Sequence, residues 1–304
     1  MRNGFFKSFD GTRIFYSIEG SGPPLLFLYG LVCSKIHWQY QMEYFKKHYT
    51  VVWLDYRGHH NSENPADYKS ITIENMARDV EYLLNELNLE EISVLGHSVG
   101  VTISLALYHR IPRRIKSLVL ANGVPRLPLE SLLKSNIPQY VHPLLFGLYK
   151  RFPKIMNILW SSQAENKIVH FIVGKLGFNT SLAKSEDIKN YIRRSAELDM
   201  VVFLQLMESY EKYDATPWLD RIHCPTLIIS GENDLITPRE SQEMMHQLIP
   251  NSRLENIRRG SHCPQLDIPD FINMILDRFV AEVHGREAIS LTSAGNTNST
   301  AGVR

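Results

Sequence analysis

The chain of 304 residues is 44% hydrophobic and 21% charged, and its 33 Lys and Arg nearly balance 32 Asp and Glu, for a net charge of +1. Such a composition describes a globular protein with ample core. It excludes a field of one sign that would recruit nucleic acid, so the expected partner is a small molecule held in a local pocket.

Cys33, Cys224 and Cys263 are odd in number, far apart and without metal-ligand spacing. Neither a disulfide framework nor a bound metal is expected, and free thiols point to a reducing compartment. The first residues lack the apolar core of a signal peptide, and no apolar run approaches the length of a membrane span. The expectation is a cytoplasmic protein without an integral membrane segment.

In chain order, the N-terminus alternates like a strand and "RIFYSI" (Arg13 to Ile18) reads as one, followed by a turn at "GSGPP". "PLLFLYG" (Pro24 to Gly30) is a continuous apolar run, as expected of a strand buried on both faces. A helical stretch follows around Trp38 to Lys47, then a second buried strand in "TVVWLDYRG". "ITIENMARDVEYLLNELNL" carries apolar residues at helical spacing, with Thr72 as its N-cap. "EISVLGHS" is a strand, Val99 to His109 a helix, and "IKSLVLANG" a strand. After a break, "CPTLIISGEND" and "SRLENI" are strands, and "RESQEMMHQLI" and "IPDFINMILDRFVAEV" are helices. Alternation of this kind predicts an α/β protein with a mainly parallel sheet covered by helices on both faces.

The break runs from Val124 to Thr216. It is rich in Leu, Ile, Phe and Tyr, punctuated by Pro128, Pro138, Pro143 and Pro153, and reads as helical throughout. An all-helical cap over residues 124–216 is therefore expected, inserted between core segments 1–123 and 217–285. Residues 286–304 are rich in Ser, Thr, Asn and Gly with little to bury, and are expected to be a disordered tail. Lys150, Arg151 and Lys154 lie beside Leu and Phe, where lipid contact is conceivable, but the near-neutral chain favours a solvated face.

"GHSVG" sets Ser98 between two glycines at the junction of a predicted strand and a predicted helix. A serine there stands on a sharp, strained turn with its Oγ clear of the backbone, while the new helix aims its N–H groups at any anion that forms. A serine hydroxyl needs a general base, and the base needs an anionic orienter. Asp234 falls just beyond one late strand and His262 just beyond the next, on the edge of the sheet that carries Ser98. Glu232 competes for the role of acid. Asn122, at a second position where an acid would serve, cannot stay anionic.

His97 is read as packing, and His59 and His60 as solvated residues of a polar loop. The backbone N–H groups of Val99 and Leu31 are the expected donors to an oxyanion, with Tyr29 and Gly30 at the substrate. Cys33 and Cys263 flank the same region, where thiol-modifying reagents would be expected to slow the protein, although the favoured reading is two small packing residues.

These residues resemble the α/β-hydrolase superfamily, in particular its capped small-molecule serine esterases and cofactor-free haloperoxidase-like enzymes. The resemblance rests on "FLYGLVCSKIHW", "VVWLDYRGHHNSENP", "VLGHSVGV", "PTLIISGENDLITP" and "RGSHCPQLDIP", in the family's order. It implies an eight-stranded-type sheet, the triad Ser98–Asp234–His262, no cofactor, and a substrate between cap and core. Two departures stand out. Tyr29-Gly30 replaces the usual His-Gly, and "RGHHNS" has His60 where the family has glycine.

A serine at the elbow argues against epoxide hydrolase and haloalkane dehalogenase chemistry, which in this superfamily use a carboxylate nucleophile. "YGLVCS" also lacks the extra glycines of enzymes that cleave carbon–carbon bonds of dienoic acids. The expected reaction is hydrolysis of a small, largely apolar carboxylic ester through an acyl-enzyme. The alternatives are an acyltransferase, perhydrolase or lactonase with the same triad, or a non-catalytic receptor for a small ligand.

Overall fold

The computed structural model describes residues 1–127 and 137–288. The apolar runs become strands of one sheet: β1 (Arg2–Lys7), β2 (Arg13–Glu19), β3 (Pro24–Leu28), β4 (Thr50–Leu54), β5 (Ile92–His97), β6 (Ile115–Ala121), β7 (Thr226–Gly231) and β8 (Ser252–Ile257). Their order across the sheet is β1-β2-β4-β3-β5-β6-β7-β8. The pairings of β1 with β2 and of β2 with β4 are antiparallel, and those from β4 to β8 are parallel. Every residue of β5 and β7 is buried, which is why those strands read as unbroken apolar runs rather than as alternation.

Strand order decides where a ligand fits. From β3 the chain crosses to β4 on one side, through α1 (Gln39–Phe45), and later returns to β5 on the other side, through α2 (Ile73–Glu86). The connections above β3 and β5 thus diverge and leave a crevice at their carboxyl ends, the switch point of an open parallel sheet. Register aligns that edge: Leu28 faces Gly96, His97 faces Ala121, and Gly231 faces Ile257. Local signals place the helices. Thr72 caps α2 by accepting the Asn75 N–H at 3.1 Å. Phe152 breaks the helix ahead of Pro153, as a residue preceding proline does.

After β5, α3 (Val99–Arg110) packs behind the sheet with residues 99–108 all buried. Between β6 and β7 come α4 (Pro138–Arg151), α5 (Pro153–Ser161), α6 (Lys167–Gly177), α7 (Ser185–Ala196) and α8 (Met200–Lys212). Val202, Leu206 and Tyr210 of α8 join the main core. Ile188 and Ile192 of α7 form a second cluster with Phe178, Cys263 and Leu266. The chain then adds α9 (Arg239–Leu248), a single turn α10 (Pro264–Asp267) and α11 (Pro269–Val283). Pro128, and residues 289–304 of the expected tail, lie outside the described residues. Among the described residues no helix is long and apolar enough to cross a membrane.

Candidate active site

β5 ends at His97 and α3 starts at Val99, so one residue makes the whole reversal. Ser98 does so with φ 56° and ψ −120°, a backbone state that costs a non-glycine residue about 1–3 kcal/mol unless its surroundings impose it. The surroundings are the flanking glycines. A Cβ on Gly96 would meet the Gly100 carbonyl oxygen at 2.5 Å, and one on Gly100 would meet the Leu28 carbonyl oxygen at 2.4 Å. Strand and helix approach closely here only because neither residue has a side chain.

The turn points Ser98 Oγ at His262, whose Nε2 lies 3.0 Å away. On the far side of the ring, Nδ1 lies 3.0 Å from Asp234 Oδ2. Asp234 is held from several directions. Asn122 Nδ2 and Thr237 Oγ1 donate to Oδ2 at 2.8 and 2.6 Å, and the Ile236 and Thr237 N–H groups donate to Oδ1 at 2.8 and 3.0 Å. Burial works to raise its pKa. The neighbouring His262, through charge and hydrogen bond, together with Thr237 and Asn122, outweighs burial and holds the carboxyl well below the ordinary carboxylate range. The competitor Glu232 is exposed and accepts the Arg259 N–H at 3.0 Å instead.

Several supporting groups carry no local sequence signal. His97 is fully buried, and its Nε2–H donates to the His262 carbonyl at 2.7 Å, so the side chain read as packing also fixes the backbone of His262. Burial first, then the nearby His262, pushes the His97 pKa down to about 3, so it stays neutral. His37 Nδ1 accepts the Gly30 N–H at 3.0 Å, and its ring lies between His97 and Tyr191. Asn122, set aside as unable to be the acid, orients the acid.

Other expectations need correction. Tyr29 is 1% exposed and turned into the core, where its hydroxyl accepts the Tyr56 N–H at 3.0 Å and its carbonyl accepts the Tyr56 O–H at 3.0 Å. Its side chain therefore braces the loop rather than meeting a substrate, and the Gly30 N–H is taken by His37. His59 and His60 are not solvated. Arg57, buried and bonded to Asp79 and Asp10, draws the loop inward; His59 is wholly buried, with its pKa pushed down to about 3 by burial. His60 takes φ 44° at the family's glycine position and donates from Nε2 to the Cys33 carbonyl at 2.8 Å. Cys33 and Cys263 are buried, and burial raises both thiols, which disfavours the reactive thiolate.

Val99 opens α3, so its N–H has no partner within the helix. Leu31 lies on the loop that leaves β3, and neither amide donates to a protein acceptor among the described residues. Together the groups can remove a proton from Ser98 Oγ, stabilise the imidazolium that results, and offer backbone donors to an oxyanion. Among the described residues no three His, Cys, Asp or Glu side chains gather as a metal site.

A family model described as alpha/beta hydrolase fold matches residues 23–269. A putative carbamate hydrolase of Azorhizobium caulinodans is 25% identical over 280 residues, which cover 89% of this chain and 96% of that protein. Mouse epoxide hydrolase 4 is 26% identical over 293 residues, covering 91% of this chain and 79% of that one. Among solved structures, a thermophilic esterase from Thermogutta terrifontis superposes with a TM-score of 0.79 at 21% identity, over 93% of this chain and all (100%) of the other.

Proposed function

This chain belongs to the alpha/beta hydrolase fold family, and we propose that within it the protein is a serine hydrolase cleaving a carboxylic ester through an acyl-enzyme. The observation that carries this reading is the unbroken hydrogen-bonded line from Ser98 Oγ to His262 to Asp234, each contact 3.0 Å long. As Oγ attacks the ester carbonyl, His262 Nε2 takes its proton, and Asp234 steadies the imidazolium through Nδ1. The oxyanion is met by the N–H groups of Val99 and Leu31. His262 then gives the proton to the departing alcohol and draws one from the water that releases the acid.

Residues 124–216 act as the cap, with the substrate between α7–α8 and the sheet's carboxyl edge. The second apolar cluster, which joins Ile188 and Ile192 to Cys263 and Leu266 beside His262, supports that placement. The likeness to an epoxide hydrolase does not carry over to the reaction, because a serine oxygen at the elbow suits acyl transfer. A carbamate or a lactone presents a comparable carbonyl, so a substrate series contains one of each beside p-nitrophenyl esters of rising acyl length.

The test is fluorophosphonate labelling with peptide mapping, run alongside that series. We expect the label on Ser98 and turnover that vanishes in Ser98→Ala. An unlabelled Ser98 with no turnover, in a protein that still binds a small apolar ligand, overturns the hydrolase in favour of a receptor.

A further inference from the structure

Twelve of the eighteen large apolar side chains exposed among the described residues fall between residues 137 and 172. They are not scattered there. On α4, Tyr140, Leu144 and Leu148 recur at four-residue spacing along one stripe and are 68, 62 and 40% exposed. On α5, Ile155, Ile158 and Leu159 make a stripe at i, i+3 and i+4; on α6, Ile168, Phe171 and Ile172 make another. α4 and α5 pack on α8, and α6 packs on α7, so these stripes face away from the molecule. Monomeric soluble proteins seldom concentrate so much exposed apolar surface in one segment without something to cover it.

The charge around the stripes identifies what covers them. Between residues 137 and 177 lie Lys150, Arg151, Lys154, Lys167 and Lys175, against a single acid, Glu165. None of the five cations pairs with a carboxylate among the described residues. Lys150 rests its ammonium 4.5 Å over the Phe146 ring, and Arg151 lies 5.7 Å from the centre of Phe152. Long cationic side chains laid over apolar neighbours, on helices with one apolar face, match the boundary between lipid headgroups and acyl chains. A second copy of this surface would bring like charges together, whereas an anionic bilayer satisfies both the charge and the apolar stripes.

We propose that the outer faces of α4, α5 and α6 are a docking surface for an anionic lipid bilayer. The proposal goes beyond the hydrolase reading and does not depend on it. It also joins the bilayer to the site: at the end of α6 the Gly177 carbonyl accepts the Cys263 N–H at 3.1 Å and the Ser261 hydroxyl at 3.0 Å, on the two sides of His262. Docking would seat the helical cover of the crevice directly on the membrane.

Co-sedimentation of the full chain with vesicles tests this, comparing phosphatidylcholine alone with mixtures in which phosphatidylglycerol is about a third of the lipid. The wild type should sediment with the mixed vesicles, and L144S/I158S/F171S should weaken that partition about tenfold or more. K150E/K154E/K167E should remove the preference for the anionic lipid, as should about 0.5 M NaCl acting on the wild type. Circular dichroism melting checks that each variant is folded. The charge variant, altered only at exposed side chains, keeps the test open if the apolar variant is not. Failure of the wild type to sediment with anionic vesicles overturns the proposal, and so does equal sedimentation of both folded variants. A wild-type dimer in light scattering that L144S/I158S/F171S dissociates, with no vesicle binding, overturns it in favour of self-association.

Discussion

α3 and α6 are similar in length and both rich in aliphatic residues, yet they meet opposite fates. In α3, Val99, Val101, Ile103 and Leu105 are all completely buried, because the sheet lies on one side and α2 on another. In α6, Ile168, Phe171 and Ile172 are 69, 67 and 47% exposed, because α7 supplies packing on one side only. Apolar content alone therefore does not separate a core helix from a surface-active one. The number of neighbouring layers separates them, and that number is a property of the assembled fold.

This contrast is open to attack, most strongly in the core. Ser98→Ala should lower kcat/KM by about 10⁴-fold or more, and Asp234→Asn by a comparable or smaller factor, in steady-state assays of a short soluble ester. Gly100→Ala, which drives a Cβ to 2.4 Å from the Leu28 carbonyl oxygen, should cost about 1–3 kcal/mol in urea unfolding, or more if strand and helix cannot separate.

Acid tests the same dense interior. His59 and His97 are held neutral in the fold, with pKa values of about 3, and burial holds His37 well below its ordinary value too, while in the unfolded chain all three titrate near the ordinary histidine value. Between those values the unfolded chain binds more protons, so stability should fall as the pH drops below about 6.5. Asp234, with its lowered folded pKa, adds stability that is present above its unfolded value and is lost only at more acid pH. Melting temperatures taken at falling pH read this directly, and His97→Gln should flatten the slope; a Tm that is level from neutral pH to about 4 would refute the buried-neutral assignment. At the small end, Leu148→Ala on the outer stripe of α4 should change unfolding free energy by no more than about 0.5 kcal/mol. A loss as large as that of Gly100→Ala would mean that the α4 face is core after all.

Much of the fold was legible because its signals are local. Unbroken apolar runs such as those at Leu25–Leu28 and Leu227–Ile229 mark strands buried on both faces, and Thr72 marks its helix start by a bond to Asn75. The candidate triad was legible for a related reason: each member sits on the loop that leaves a strand, Ser98 after β5, Asp234 after β7 and His262 after β8, so naming the strands brought the three candidates to one edge. The supporting groups were not legible. Asn122 donates to a residue 112 positions away and His97 to one 165 positions away, and no spacing rule reaches so far. His59 and His60 look polar in the chain, and only the pull of Arg57 on Asp79 shows why their loop is buried.

From the order of its residues alone this protein specifies its strands, most of its helices, and the strained turn at Ser98, since these follow from backbone sterics and hydrophobic pattern within a few positions. Assembly in three dimensions decided which histidines face inward, what steadies Asp234, and which apolar helices remain uncovered. Burial and partnership depend on chain segments brought together across the fold, and no single segment carries that information.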